Sequence, residues 1–235
     1  MSGENGPEIT SDQAAERILQ AALPHVTFDG WSEATLRAAI ADSRMPEALA
    51  RAIYPRGGID LALAYHRQGD RTMADILAQN PPEGRIRNRI AAAVMTRLSL
   101  ADREAVRRGS ALMALPRYAP DGAAAIWGTA DAIWRSLGDS SDDVNWYSKR
   151  ATLSAVYAAT VLFWLGDDTT DATATQDFLD RRLGEVMQIE KAKAALRDNP
   201  LTKGLLAVPM KLMSHVKAPA PATDLPGRTA PRPSR

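Results

Sequence analysis

Apolar residues recur along this chain at spacings of three and four, which is the period of an α-helix with one buried face. No convincing alternation of apolar and polar residues indicates strands, and alanine, the strongest helix former, is abundant. We therefore predict an all-α fold. Caps, glycines and prolines divide it into helices at about residues 11–24, 32–42, 46–54, 59–77, 84–98, 102–114, 121–137, 142–165 and 171–197.

The same pattern predicts five regions along the chain. Residues 1–10 are expected to be a disordered N-terminus, residues 11–57 to form three short helices, and residues 58–197 to form a helical bundle. Residues 200–217 are expected to form an amphipathic helix. Residues 218–235 are rich in Pro, Ala and Arg, which predicts a disordered tail.

The first three helices, with Ser11 and Ser32 as expected N-caps, resemble the helix-turn-helix of tetracycline-repressor-like regulators. In those regulators the third helix enters the major groove, but here it offers only Arg51 and Glu47 to read bases. Residues 32–54 carry three arginines and three acidic residues, so the attraction to phosphates that dominates DNA affinity is missing. We expect packed structural helices that bind no nucleic acid, with a ligand-responsive transcription regulator as the alternative function.

Two predicted helices carry aromatic residues that would meet across the loop GDSSD. Trp134 and Trp146 lie equally far from the centre of this loop, so an antiparallel hairpin places them opposite each other. The same count brings Asp131 near Arg150. This pattern fits either an ordinary helix–helix contact or a surface for another protein. Tyr147 lies on a second helix face, which a partner, a second copy or the following helix must cover.

The second half of the helix predicted at 142–165 is apolar nearly all round, which is typical of a helix in the centre of a bundle. Its small side chains either let helices pack closely or leave a cavity for an apolar ligand. The residues predicted to line such a lipid-binding cavity are Ala151, Leu153, Ala155, Tyr157, Ala158, Val161 and Trp164.

The segment LTKGLLAVPMKLMSHVK places Lys203, Lys211 and His215 opposite an apolar face, with Pro209 expected to kink it. Basic residues opposite Leu and Met suit a helix in a membrane interface. A helix docked on its own domain shows the same pattern, so both interpretations stand. The predicted membrane-binding residues are Leu201, Leu205, Leu206, Val208, Met210, Leu212, Met213 and Val216.

Composition narrows the chemistry that this chain can perform. It has no cysteine, which excludes disulfides and thiolate metal sites, and its net charge of +1 gives no strong global attraction to nucleic acid or acidic lipid. The sequence shows no metal-binding, nucleophile or phosphate-loop motif. No carboxylate is evident that would orient His25, His66 or His215. We therefore expect no catalytic residue, no metal and no cofactor in a protein that is not an enzyme.

The run D-x-N-W-Y-x-x-R is formed by Asp143, Asn145, Trp146, Tyr147 and Arg150. It resembles a motif of the lipid-binding accessory proteins of ubiquinone biosynthesis, and the likeness covers nearly all of the predicted helical chain. That family has a tetracycline-repressor-like helical bundle with a helix-turn-helix-like N-terminal part and a C-terminal amphipathic helix. The resemblance implies a non-catalytic protein that binds an isoprenoid quinone precursor or a phospholipid.

The resemblance also implies partners. The bundle would dimerise, the last helix would contact the membrane, and the lipid would be presented to the di-iron hydroxylase that acts on demethoxyubiquinone. The hydroxylase would dock on Asp131, Trp134, Asn145, Trp146, Tyr147 and Arg150. No targeting pattern opens the sequence, and the apolar run 151–165 is too short to span a bilayer. The expected location is a bacterial cytoplasm, peripheral on the inner membrane.

Overall fold

The computed structural model describes residues 9–198, with side chains through residue 188, and confirms the predicted all-α fold. Predictions for residues 1–8 and 199–235, including the amphipathic helix at 200–217, lie outside the described residues. The helices are α1 Ser11–Asp29, α2 Glu33–Ser43, α3 Glu47–Ile53, α4 Gly58–Gln79, α5 Ile86–Ser99, α6 Arg103–Met113, α7 Ala119–Ser136, α8 Val144–Trp164 and α9 Thr173–Asp198, with a 3-10 turn at Thr170–Ala172.

Side-chain caps fix where several helices begin. Ser32 caps α2 as predicted, because its hydroxyl accepts from the backbone N–H of Thr35 at 3.2 Å. The predicted cap of α1 is displaced by one residue: Thr10, not Ser11, accepts from the N–H of Gln13. The Gln13 side chain accepts in return from the N–H of Thr10, which completes a capping box.

Helix α1 continues through Pro24, so the predicted end before His25 is wrong. Proline removes one helical hydrogen bond, which is the reason for predicting an end there. The helix nevertheless continues because Val26 is buried in the same cluster as Ile18 and the rest of the buried face of α1. It ends at Gly30, whose positive φ of 65° suits glycine and whose N–H bonds to the carbonyl of Val26 at 2.9 Å.

Helix α4 joins two hydrophobic clusters. Its first turns, with Leu61 and Ala62, pack among α1, α2 and α3 around the buried Trp31. Its last turns, with Met73 and Leu77, pack among α5, α7, α8 and α9. The three N-terminal helices are therefore packed structural elements, continuous with the bundle through α4.

Helix α8 is not the central helix that its apolar sequence predicted. Leu162 is 68% exposed, and Ala151 and Ala155 are also exposed, while Leu153, Val156 and Tyr157 are buried. The outward face of α8 is apolar, but no other described helix covers it. The apolar sequence of α8 therefore did not mean that every face of the helix is buried. One side of α8 packs on α7 and α9.

The start of α4 passes very close to the backbone after α1. A Cβ added to Gly58 would lie 2.2 Å from the carbonyl oxygen of Trp31, so only glycine fits there. We expect Gly58→Ala to lower the free energy of unfolding by about 1–3 kcal/mol, through overpacking against a rigid backbone. Urea denaturation measures this loss.

Gly128, inside α7, is the matched control, because an added Cβ would meet no atom within 4 Å. Gly128→Ala should stabilise the protein by up to about 1 kcal/mol, as alanine favours helix over glycine. Equal losses in the two variants would contradict the assigned contact between α4 and Trp31.

Candidate functional site

Arg150 lies buried in the hairpin of α7 and α8, with its side chain 1% exposed. Its Nε donates to Asp131 Oδ1 at 2.6 Å, which confirms the predicted neighbours across the hairpin. Its Nη1 donates to Asp139 Oδ2 at 3.0 Å, a contact that sequence reasoning missed. The signal was available, because Asp139 lies in the loop GDSSD and a hairpin brings that loop back toward the start of α8.

Asp139, in the loop of this hairpin, pairs with two basic side chains and one hydroxyl. Besides Arg150, it accepts from Lys149 Nζ at 2.6 Å and from Ser141 Oγ at 2.8 Å. Burial acts to raise the pKa of Asp139, but the hydrogen bonds from Lys149, Ser141 and Arg150 outweigh it and hold the pKa at about 2. The carboxylate therefore stays charged at neutral pH and ties the loop to α8.

The Trp146 ring lies at the centre of an aromatic group. Its centroid is 5.9 Å from that of Trp127 and 4.8 Å from that of Tyr147, which is nearly perpendicular to it. The guanidinium carbon of Arg150 lies 4.1 Å from the Trp146 ring centroid, a cation–π distance. Arg150 thus connects the buried carboxylates to the position of Trp146.

The predicted pairing of Trp134 with Trp146 is wrong, because the α7 ring recorded beside Trp146 is Trp127. Trp134 instead donates its indole N–H to the Lys149 carbonyl at 3.1 Å, and Lys149 Nζ lies 5.2 Å from its ring centroid. A half-buried indole N–H needs an acceptor, and this requirement places the ring beside Lys149.

The six residues predicted to dock a partner therefore lie at different depths. Asn145 is exposed, while Trp134, Trp146 and Tyr147 are half-buried and remain reachable from outside. Asp131 is 19% exposed and bound to both Arg150 and Arg135. Arg150 is beneath the surface, so the structure corrects its predicted role: it positions Trp146 and would not itself touch a docked protein.

Lowering the pH should protonate the Asp139 carboxylate and weaken its ion pairs with Lys149 and Arg150. Its folded pKa of about 2 lies below the value of 3.8 expected when unfolded, so it stabilises the fold above about pH 4 and loses that contribution as pH falls toward 2. We expect Asp139→Asn to cost about 2 kcal/mol at pH 7, and the difference from wild type to shrink below pH 4. Urea denaturation at several pH values measures it.

Asp142, exposed in the same loop, provides the control. Asp142→Asn should change the free energy of unfolding by no more than about 0.5 kcal/mol at any of these pH values. A wild-type advantage over Asp139→Asn that stays constant down to pH 2 would be incompatible with the assigned ion pairs.

A cavity of about 370 Å³ lies among α4, α5, α6, α7 and α8. Small residues dominate its apolar walls, among them Ala62, Ala101, Ala125 and Ala158. It reaches the surface where the exposed Leu162 forms part of its lining. The bundle therefore encloses an apolar space instead of packing closely throughout.

The structure brings only part of the predicted lipid site into this cavity. Tyr157, Ala158 and Val161 line it, but Leu153 lines a separate cleft of about 230 Å³ near α9. The remaining predicted residues lie elsewhere, since one helix presents only one face to one cavity. Ala151 and Ala155 are exposed, and Trp164 is buried with the Arg103 guanidinium 4.9 Å from its ring centroid.

A polar group of four side chains, missed from sequence, lies at the cavity. His66 and Arg97 line the cavity, and Asp70 and Thr129 lie behind them; all but the partly buried His66 are buried. Arg97 Nε donates to Asp70 Oδ1 at 2.8 Å, and Thr129 Oγ1 donates to the same oxygen at 2.9 Å. His66 Nε2 lies 2.7 Å from Thr129 Oγ1. Burial is the main cause that lowers the pKa of His66, so its ring is neutral at physiological pH.

Carboxylates do accompany two histidines, contrary to the sequence prediction. His66 Nε2 lies 3.6 Å from Asp70 Oδ2, one helical turn along α4, and His25 Nε2 lies 2.7 Å from Asp42 Oδ2. The spacing of four between His66 and Asp70 was the signal for the first pair. Among the described residues, no group of three His, Asp or Glu side chains could hold a metal ion.

The third helix offers little free positive charge to DNA. Arg51 pairs with Glu33 at 2.9 Å and with Glu47 at 2.9 Å, so the one arginine predicted to face bases is matched by two carboxylates. These contacts agree with the neutral charge of residues 32–54. A helix whose cation is already paired gains little from phosphate contacts.

The helices form an all-α bundle with a tetracycline-repressor-like fold. The structure is similar to the crystal structure of the TetR transcriptional regulator from Nitrosomonas europaea ATCC 19718, with a TM-score of 0.59 and 18% identity. The likeness covers 73% of this chain and 97% of that one. At this identity it shows a shared fold and carries no argument about function.

The sequence comparisons confirm the resemblance given by the aromatic motif. Residues 119–190 match the COQ9 family model, and the relatives that follow are named as ubiquinone biosynthesis proteins. The chain is 30% identical over 190 residues to "Ubiquinone biosynthesis protein COQ9, mitochondrial" of Xenopus tropicalis, covering 76% of this chain and 59% of that protein. It is 27% identical over 226 residues to COQ9-B of Xenopus laevis, covering 90% and 76%.

The comparisons overturn the predicted bacterial cytoplasmic location. The relatives from Xenopus, Drosophila melanogaster, Rattus norvegicus and Homo sapiens are all named as mitochondrial proteins. That prediction rested on the first residues of the sequence, which do not determine the compartment. Over residues 9–198, no helix is long and apolar enough to cross a membrane.

Proposed function

We propose that this chain binds an isoprenoid quinone precursor in the cavity and presents it, without catalysing a reaction, to the di-iron hydroxylase that acts on demethoxyubiquinone. The observation that carries the proposal is the alanine-lined cavity, with its apolar walls and its volume of about 370 Å³. Ligand pockets between bundle helices have this character and a size of roughly 300–1,000 Å³. An apolar tail would cover surface that otherwise meets water.

The opening at Leu162 supports presentation of the lipid as well as storage. Leu162 is 68% exposed and belongs to the cavity lining, so a tail in the cavity is continuous with the protein surface. A long isoprenoid chain can therefore lie partly inside the bundle and partly outside it. A phospholipid acyl chain fits the same apolar surface.

Filling the cavity tests the proposal. Ala158 lines the cavity, so we expect Ala158→Phe to reduce the affinity for a short-chain demethoxyubiquinone in its reduced, quinol form about tenfold or more, because the phenyl ring occupies the volume of the tail. Titration calorimetry measures the affinity, and native mass spectrometry of the purified protein reports any lipid that it carries.

Ala124→Phe is the matched control, since Ala124 is exposed on α7 and lies outside the cavity lining. This variant should bind the lipid as the wild type does. An equal loss of lipid affinity in both variants, or a wild type that binds no prenyl lipid, would show that the cavity is not the lipid-binding site.

The docking surface for the hydroxylase is proposed at Trp134, Asn145, Trp146 and Tyr147. Half-buried aromatic side chains held in place by a rigid support are typical of the residues that contribute most to protein binding. Trp146 is held by Trp127 and by the Arg150 guanidinium. The buried ion pairs below therefore keep the aromatic surface in one arrangement before a partner arrives.

Truncating this surface should weaken the complex. We expect Trp146→Ala to raise the dissociation constant for the hydroxylase at least about thirtyfold, the effect of losing a central aromatic contact. Surface plasmon resonance with the hydroxylase of the same organism measures it. Phe28→Ala, which removes an aromatic ring that is 82% exposed on α1, should leave the affinity unchanged. Identical affinities for wild type and Trp146→Ala would place the docking surface elsewhere.

A second copy of the chain and a membrane surface complete the proposal. The exposed small residues Ala151 and Ala155 give α8 an apolar outer face on which a second α8 could approach closely in a homodimer. Contact with the membrane is assigned to residues 200–217, where basic side chains oppose an apolar face in the sequence.

A further inference from the structure

The polar group at the cavity determines which nitrogen of His66 carries the proton. Nε2 lies 3.1 Å from the carbonyl oxygen of Ala125 and 2.7 Å from Thr129 Oγ1. A carbonyl oxygen only accepts, so its contact requires a proton on Nε2. The Thr129 hydroxyl donates to Asp70 Oδ1 at 2.9 Å, which is closer than its second acceptor, the Ala125 carbonyl oxygen at 3.3 Å. With either acceptor, the Thr129 oxygen can still accept from His66.

Asp70 is held as the acceptor in this chain of hydrogen bonds. Arg97 Nε donates to it at 2.8 Å, and Arg97 Nη2 donates to the backbone carbonyl of His66 at 3.0 Å. The Arg97 guanidinium packs directly on the backbone of α4 at Gly69, where an added Cβ would lie 2.5 Å from its central carbon. The guanidinium therefore has no room to move toward α4. The direction of donation, from His66 to Thr129 to Asp70, is therefore set by packing.

The second ring nitrogen, Nδ1, is then an acceptor. The His66 ring is neutral because burial lowers its pKa, so Nδ1 carries a lone pair and no proton. Among the described residues, the imidazole forms hydrogen-bond contacts only through Nε2, and no side chain pairs with Nδ1. His66 lines the cavity, so a ligand there is in a position to supply the missing donor.

Among the other polar side chains of the lining, Tyr65 has the opposite character. The Tyr65 hydroxyl accepts the backbone N–H of Asp102 at 2.7 Å, and it keeps its own proton to donate. A carbonyl or ether oxygen, which only accepts, can pair with Tyr65 but leaves the His66 lone pair unsatisfied. A hydroxyl, such as either hydroxyl of a reduced quinone, can donate to His66. An unsatisfied acceptor in an apolar cavity has a free-energy cost, which favours the hydroxyl.

We propose that His66 Nδ1 accepts a hydrogen bond from a hydroxyl on the head of the bound lipid, and that the cavity therefore prefers a prenyl alcohol or prenylphenol to the matching ether. This inference rests on the proposed lipid-binding function and deepens it by assigning the chemical class of the head group. It makes His66 a specificity-determining residue with no part in catalysis.

Matched lipids test the preference in the unaltered full chain. Calorimetric titration would compare 2-farnesylphenol with its methyl ether, and farnesol with farnesyl methyl ether, so that each pair differs only in the donor. We expect the hydroxyl compound to bind about tenfold more tightly than its ether. A preference in the phenol pair alone identifies a phenol head, and one in both pairs shows that any hydroxyl suffices.

Two variants of His66 assign the preference to one atom. His66→Gln places an amide nitrogen near the position of Nε2, so contacts with Thr129 and Ala125 can persist while the Nδ1 acceptor is lost. It should bind the alcohol and the ether equally. His66→Asn places a carbonyl oxygen near the position of Nδ1 and should retain the preference for the hydroxyl compound.

The outcomes separate this inference from the function on which it rests. Equal affinity of the wild type for alcohol and ether overturns the role of His66 and leaves lipid binding intact, and this comparison needs no variant to fold. A preference that survives in His66→Gln also overturns it. Failure of all four lipids to bind removes the proposed lipid-binding function itself.

Discussion

The burial of one guanidinium organises the hairpin of α7 and α8. Arg150 is 1% exposed, and a charge in that position is tolerated only because Asp131 and Asp139 lie at 2.6 and 3.0 Å. Those two carboxylates come from α7 and from the loop that follows it, so the pairing fixes the hairpin as well as the charge. The same guanidinium supports the Trp146 ring, and a surface of half-buried aromatics is therefore only as rigid as the ion pairs beneath it.

The same constraint shapes the cavity. Arg97 is buried beside an apolar space, and its pairing with Asp70 keeps an unbalanced charge away from that space. Arg97 and His66 both line the cavity, but the Arg97 charge is paired with Asp70 and the His66 ring is neutral. An alanine-rich lining without an unpaired charge suits an uncharged amphiphile, which agrees with a chain related to ubiquinone biosynthesis proteins.

Helical periodicity predicted where most helices lie, because burial of one face repeats along each helix. Hairpin geometry also predicted that Asp131 meets Arg150. Helical periodicity could not predict features that depend on tertiary packing. Helix α1 continues past Pro24 because Val26 is buried in the core. Ala151 and Ala155 are exposed because no described helix covers that face of α8. Trp134 donates to the Lys149 carbonyl, and Trp127 packs against Trp146 in its place. Helical spacing alone did not distinguish these two α7 rings.

Leu162 belongs at once to the surface and to the cavity lining, and this has a kinetic meaning. In the proposed lipid-binding function, a tail that reaches Leu162 would leave the cavity lengthwise. Exchange of the lipid would then require no separation of α7 from α8 and would be slower for longer tails.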